Sequence, residues 1–229
     1  MKILSLGQSG FIITAGDGTT VMTDPWLAPS PLKNFKTPID YKKVQRCDAV
    51  LVSHNHLDHV DSCTLRMAKR LGAEFIGSGR AARRARRAGI EKVTALRPGD
   101  TAVVESLKIH AVPARHPLAA DAVGFVIEGD ATVYFSGDTR LDTHLLGELK
   151  KFKIDIALLQ IACAVYFFKK DGLDVEDAAK LAEEIQPGVA VPMHYHDIFR
   201  HPDPEVFREK LSGAGIRVDI LQPGEEREY

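Results

Sequence analysis

The sequence predicts an α/β chain in which two β-sheets are sandwiched between helices. Three observations carry that prediction. Short apolar runs alternate with helix-spaced segments from end to end. About a dozen of these runs have strand length, with helices interspersed between them. No internal repeat, low-complexity tract or linker-like shift in composition interrupts the pattern, and residues of metal-ligand type recur from His54 to His194, so residues 1–229 are expected to form a single domain.

In order along the chain, Lys2–Leu6, Phe11–Ala15 and Thr20–Thr23 read as strands broken by Gly7–Gly10 and Gly16–Gly18, an antiparallel start. Pro25 to Pro38 holds four prolines and reads as a long loop. Ala49–Val52 is a buried-type strand that runs directly into SHNHLDH. Asp61–Leu71 sets Leu65, Ala68 and Leu71 at helical spacing, with Gly72 as the stop. Glu74–Ile76 is a strand, and Arg80–Ala88 a helix ended by Gly89. Strands follow at Thr101–Val104, Leu107–Val112, Ala122–Ile127 and Thr132–Phe135. Leu141–Lys150 is helical, Ile154–Gln160 a strand, Val175–Ile185 a helix with Asp174 as N-cap, and Val189–Val191 a strand. A helix over Glu205–Leu211 and a strand over Arg217–Leu221 complete the order.

Composition narrows the functional classes. Apolar residues make up 45% and charged residues 27% of the 229, the mix of a soluble globular protein. Thirty Lys+Arg against 31 Asp+Glu give a net charge of −1, so global charge offers no argument for nucleic acid. The three cysteines, Cys47, Cys63 and Cys163, are unclustered and read as reduced thiols. No apolar run reaches the ~20 residues of a membrane helix. The N-terminal segment reads as strands rather than as a signal peptide, so a cytoplasmic protein is expected.

The chemistry starts at SHNHLDH, Ser53 to His59. On an extended strand His54, His56 and Asp58 share a face and His59 points away; on a helix His56 sits roughly opposite His54 and Asp58. No single regular element gathers all four. A strand end turning into a helix can, with His54 and His56 aimed one way and Asp58 and His59 another, which suggests two metal ions. Each half is incomplete, because a catalytic zinc usually takes three protein ligands. The missing residues lie at other strand exits: TVYF runs into SGDT and Asp138, VAVPM runs into His194, and Leu107–Val112 leads through Pro113 to His116. His110, interior to that same strand, is the expected packed histidine, and His116 the expected ligand.

H-x-H-x-D-H, a lone histidine, SGDT and PMHY, in that order, resemble the metallo-β-lactamase superfamily over nearly the whole chain. More narrowly, GQSGF, TDPWL, SHNHLDH, SGDT and PMHYH are similar to the branch that holds ascorbate-6-phosphate lactonase and N-acylphosphatidylethanolamine phospholipase D type enzymes. The resemblance implies a four-layer αββα sandwich with a dinuclear site on one edge. It implies that His54, His56 and His116 hold one metal, that Asp58, His59 and His194 hold the other, and that Asp138 bridges them. Asp58, Asp138 and His194 are then catalytic as well as ligating. The implied activity is that of a metal-dependent hydrolase acting through a hydroxide at the dinuclear site on a phosphoester, lactone or related ester. Two divalent ions against two carboxylates and a hydroxide leave one positive charge, which favours an anionic small-molecule substrate. The imidazole-rich set suits Zn2+, with Mn2+ or Fe2+ acceptable.

Several positions depart from the family or stand beside the motifs. Gln8 replaces an expected histidine, and Gln160-Ile161-Ala162-Cys163 replaces an expected Pro-Ile-Gly; both bear on substrate choice. Asp24 is a candidate acceptor behind a ligand histidine, and Tyr195 and His196 are candidates for substrate contact. Arg80, Arg83, Arg84 and Arg87 share one helical face with alanines opposite, the pattern of a solvated outer helix rather than a nucleic-acid surface. Val165-Tyr166-Phe167-Phe168 is an apolar cluster suited to a pocket wall or a homo-oligomer contact, while His144 and His201 are expected at the surface. The rival readings are an iron-dependent redox enzyme, a nucleic-acid phosphodiesterase and a binding module on a retired enzyme fold. His56 stands where flavin-dependent di-iron relatives often carry glutamate, which argues against the first.

Overall fold

The computed structural model describes residues 1–166, 169–196, 199 and 201–229, with backbone alone at Tyr166 and Lys169. The first half of the chain lays down β1 (Lys2–Gly7), β2 (Gly10–Thr14), β3 (Thr20–Thr23), β4 (Ala49–Val52), α1 (Ser62–Leu71), β5 (Glu74–Gly77), α2 (Gly79–Arg87) and β6 (Val93–Ala95). The second half adds β7 (Thr101–Val104), β8 (Leu107–Pro113), β9 (Val123–Glu128), β10 (Thr132–Phe135), α3 (Thr143–Leu149), β11 (Ile156–Gln160), β12 (Val165–Tyr166), β13 (Lys169–Lys170), α4 (Val175–Ile185), β14 (Val189–Met193), α5 (Pro204–Lys210) and β15 (Arg217–Val218). β16 (Glu226–Glu228) returns to pair with β1.

Two seven-stranded sheets result, in the orders β16-β1-β2-β3-β4-β5-β6 and β7-β8-β9-β10-β11-β14-β15. Written in these directions they match strand for strand. In each sheet the first three neighbouring pairs are antiparallel and the last three parallel. Connection length is one cause: short turns join β1 to β2, β7 to β8 and β9 to β10, whereas parallel neighbours need a crossover. α1 and α2 supply crossovers on the first sheet, and α3, α4 and α5 on the second. The order of antiparallel and parallel pairs is thus repeated although the sequence shows no repeat, with β16 joining the first sheet from the far end of the chain.

Side-chain alternation sorts the strands between layers. Leu51 faces the apolar layer between the sheets, while Val50 and Val52 face the cluster that packs α1 and α2. Val133 and Phe135 likewise point between the sheets, and Tyr134 points toward α3 and α4. The inter-sheet layer runs from Ile3, Phe11 and Ile13 to Phe125, Phe135 and Val191. Helix, sheet, sheet and helix make the expected αββα sandwich, and among the described residues no helix is long and apolar enough to cross a membrane.

Differences from the sequence reading fall mainly at edges. β6 has three residues, too few to show a period, and β16 is the charged sequence ERE on a sheet edge, where charge blunts pairing with other chains. The strand expected over Arg217–Leu221 pairs only at Arg217 and Val218. The helix expected from Leu141 starts at Thr143 because the Asp142 side chain accepts from the Leu145 N–H and sets the cap there. Arg84 on α2 bonds the Val60 carbonyl at 2.9 Å while Ala81, Ala82 and Ala85 are buried, the expected division of that helix. Val165 is exposed; the side chains of Tyr166, Phe167 and Phe168 lie outside the described residues.

Candidate metal centre

Every residue the sequence singled out as a ligand stands just beyond the carboxyl end of a strand, the edge where open α/β sheets build their sites. β4 is buried throughout and ends at Val52, and the chain then turns. His59 and Val60 N–H groups donate to the His56 carbonyl at 3.2 and 3.0 Å, and Asp61 caps α1 by accepting from Cys63 and Thr64 N–H at 2.6 and 2.9 Å. This strand–turn–helix passage splits the motif. His54 Nε2 lies 2.9 Å from His56 Nδ1, which lies 3.3 Å from His116 Nε2. On the other side His59 Nε2 lies 3.3 Å from His194 Nε2, and Asp58 Oδ2 lies 3.5 and 3.4 Å from those two nitrogens. Asp138, 3% exposed, reaches both groups: Oδ2 is 3.9 Å from His54 Nε2 and 3.5 Å from His59 Nε2, and Oδ1 is 3.3 Å from His194 Nε2.

The outward sides of the rings fix which nitrogen faces in. His59 Nδ1 donates to Asp24 Oδ2 at 2.7 Å, and His116 Nδ1 donates to the Asp171 carbonyl at 2.7 Å. Ser53 Oγ donates to Asp24, so it is free to accept from His54 Nδ1 at 3.0 Å. With Nδ1 protonated in each case, the Nε2 lone pairs of His54, His59 and His116 converge, the orientation that second-layer acceptors impose on ligand histidines. Asp138 Oδ1 is buried and receives no hydrogen bond. Donors bound at about 2.0–2.1 Å to a tetrahedral ion are separated by about 3.3 Å, and the separations within the two groups match that spacing. The donor set fits a pair of metal ions.

Electrostatics agree. Burial lowers His54 well below the usual histidine range, with neighbouring His59 adding to it, and lowers His56. Burial would lower His59 and His194 too, but the Asp138 and Asp58 carboxylates overcome it, raising His59 well above its ordinary value and His194 to about 9. Against burial, His59 and His194 hold the carboxyls of Asp58 and Asp138 far below the usual range. Burial raises Asp24 despite the opposing pull of His59. Backbone strain concentrates here as well. Of the five non-glycine residues with positive φ among the described residues, Gln8 (54°), Asp24 (34°) and His194 (66°) belong to the site. Gly137, at φ 54°, passes so near Ser53 that an added Cβ would stand 2.7 Å from the serine Cβ.

The neighbouring candidates separate. Gln8 is buried, with its amide nitrogen 3.4 Å from Asp58 Oδ2 and 3.4 Å from His194 Nδ1, and its main-chain carbonyl accepts from the His194 N–H at 2.9 Å. His196 Nδ1 accepts from the Gln8 N–H at 3.3 Å, and burial pushes its pKa down to about 4. Tyr195 does not join the site. It packs in the outer layer with Phe207, Leu211 and Ile216, past the left-handed turn at His194. His110 pairs with Glu128 and lies against the Phe152 ring at 5.0 Å, as a packed histidine. The departure at Gln160 proves structural rather than substrate-facing: Oε1 accepts from Thr139 and Leu173 N–H at 3.2 Å each, and Nε2 donates to the Ala162 carbonyl. An added Cβ on Gly172 would collide with that amide. Sequence reasoning missed Ser53 and Asp171. Ser53, directly before H-x-H, carried a readable signal; Asp171 acts here through its carbonyl, which no side-chain pattern announces.

Fold and site together define a member of the metallo-β-lactamase superfamily. A family model described as "Beta-lactamase superfamily domain" matches residues 19–195, and the chain belongs to that family. It is 35% identical to a UPF0173 metal-dependent hydrolase of Methanopyrus kandleri, over 100% of both chains. Among solved structures it is similar to Igni18, a metallo hydrolase from Ignicoccus hospitalis, with a TM-score of 0.83 and 28% identity over 100% of this chain and 98% of that one. The isothiocyanate hydrolase from Delia radicum gut bacteria shares the fold, with a TM-score of 0.85 at 20% identity over 100% of this chain and 99% of that one. The chain is a metal-dependent hydrolase of this fold.

Asp24 tests the outward support. Asp24→Asn keeps the shape of the side chain but removes the charge behind His59, and is expected to weaken metal binding about 10–100-fold in a competition titration against a chelating dye. Unchanged affinity would refute a role for Asp24 in orienting the ring.

Proposed function

We propose that His54, His56 and His116 hold one divalent ion, that Asp58, His59 and His194 hold a second, and that Asp138 bridges the two. The observation that carries this reading is the position of Asp138, whose two oxygens lie within 3.9 Å of histidines from both groups. A pair of such ions supplies an activated water and Lewis acidity toward the scissile group. The chain's own part is to fix the geometry: Asp24, Ser53 and the Asp171 carbonyl hold the imidazoles in one tautomer, and Gln8 holds Asp58 against His194. Two divalent ions against two carboxylates leave a positive balance, which favours an anionic small molecule: a phosphoester, a lactone or a related ester. Five imidazoles and no thiolate suit zinc, with manganese or iron as the alternatives. The free cysteines fit a reducing cytoplasm.

The test is metal analysis of unsupplemented protein, followed by hydrolysis of phosphodiesters, sugar-phosphate lactones and acyl-lactones with zinc, manganese or iron. The expected result is about two ions per chain and chelator-sensitive turnover of one of these classes. Oxygen consumption without hydrolysis, or turnover unaffected by chelation, would refute the proposal.

A further inference from the structure

A cavity of about 450 Å³ opens beside Asp58, and its walls are of a different kind from the metal centre. Trp26, Pro29, Leu32 and Leu57 supply apolar surface, Asp58 forms the end nearest the histidines, and Arg84 stands on the wall. Leu57 is 68% exposed and Leu32 43%, although both are large apolar side chains. Leu57 sits inside the metal motif, between His56 and Asp58, so its exposure is fixed by the same turn that aims the ligands. Polar groups on the walls are already engaged. Asp61 accepts from Ala28, Cys63 and Thr64 N–H groups at 2.6 to 2.9 Å. Arg84 donates to the neutral carbonyl of Val60 at 2.9 Å and keeps its positive charge. The cavity therefore offers apolar contact, one cation and a shared wall with the second metal group.

We infer that this cavity receives an apolar group of the substrate, an aryl ring or a medium-length alkyl or acyl chain attached to the anionic centre that meets the metals. The inference rests on the proposed metal-dependent hydrolysis and names its substrate class: an amphiphilic ester rather than a small, wholly polar one. Apolar burial scales with the area covered, so affinity rises with tail length until the cavity is filled. Continuity decides the occupant, because Asp58 lines the cavity and lies 3.4 Å from His194 Nε2.

Trp26 is the single tryptophan of the chain and lines the cavity, which gives a binding readout independent of turnover. Metal-loaded protein is titrated with methylphosphonate, phenylphosphonate and octylphosphonate while Trp26 fluorescence is followed. The phenyl and octyl compounds are expected to bind about tenfold or more tightly than the methyl compound. Leu57→Asn and Leu32→Asn, both at exposed positions that leave the core intact, are each expected to reduce that ratio several-fold. Equal, metal-dependent affinity for all three phosphonates would overturn the apolar subsite and leave the hydrolase reading standing. A tail preference that survives metal removal unchanged would overturn the cavity's role as a substrate subsite. Failure of the hydrolase reading shows separately, as missing metal and missing turnover in the panel above.

Discussion

Asp138→Ala is expected to lower kcat/KM on the order of a thousandfold or more and to reduce bound metal below that of any variant touching one group alone. Asp138 reaches His54 and His59 through one oxygen and His194 through the other. On the proposed assignment, removing it takes a ligand and a negative charge from both ions at once. Several kcal/mol of transition-state stabilisation depend on such ions, and each tenfold in rate corresponds to about 1.4 kcal/mol. His116→Ala makes the comparison, since the histidines His116 meets among the described residues, His54 and His56, belong to one group. It should cost one ion where Asp138→Ala weakens two. Metal counting by mass spectrometry alongside turnover checks this, and an Asp138→Ala protein that keeps two ions would refute the bridging assignment.

Metal loading is expected to raise the thermal midpoint by roughly 10 °C for each ion bound, and the gap between loaded and chelated protein should widen as pH rises. A ligand at a thousand times its Kd stabilises by about 4 kcal/mol per site, and in a chain of this size each kcal/mol moves the midpoint by about 2–4 °C. The pH trend follows from the histidines. In metal-free protein the carboxylates raise His194 from 6.5 to about 9, so its contribution to stability is complete below 6.5 and is lost as pH climbs through 9. Metal binding runs the other way, because the ions must displace protons from His59 and His194 and bind more tightly as pH rises. Metal-free protein thus loses the His194 contribution over the range in which metal binding tightens. Differential scanning fluorimetry between pH 6 and 9, with and without chelator, measures the gap; a gap that narrows with pH would contradict the coupling.

The candidate ligands are legible because strand exits have a sequence signature: a buried run such as AVLV or TVYF followed within three residues by histidine or aspartate. The split of SHNHLDH followed from geometry alone, since neither a strand nor a helix can aim all four residues at one point. Asp24 was legible in part, as an acidic residue directly after β3. Tyr195, a candidate for substrate contact, packs in the outer layer, since adjacency to His194 in sequence does not set which layer a side chain takes. Asp171 stayed hidden because its role is carried by a main-chain carbonyl. Gln160 looked like a substrate determinant because it broke a family pattern; its environment of backbone donors shows a brace between the Asp138 turn and the segment that bears Asp171. β6 and β16 could not be read from apolar periodicity, since one has three residues and the other is wholly charged.

The matching sheets carry a consequence for the order of folding. His54 and His56 come from the first half of the chain and their partner His116 from the second; Asp58 and His59 come from the first half and their partner His194 from the second. Neither half alone supplies all three donors of either proposed group, and the first sheet is completed by β16 from the far end of the chain. On the proposed assignment both groups are complete only once the two sheets have docked, which makes full metal loading a reporter of finished assembly. His116 and His194 join their proposed groups only when the inter-sheet layer has closed, so two ions held in this way stabilise the finished fold.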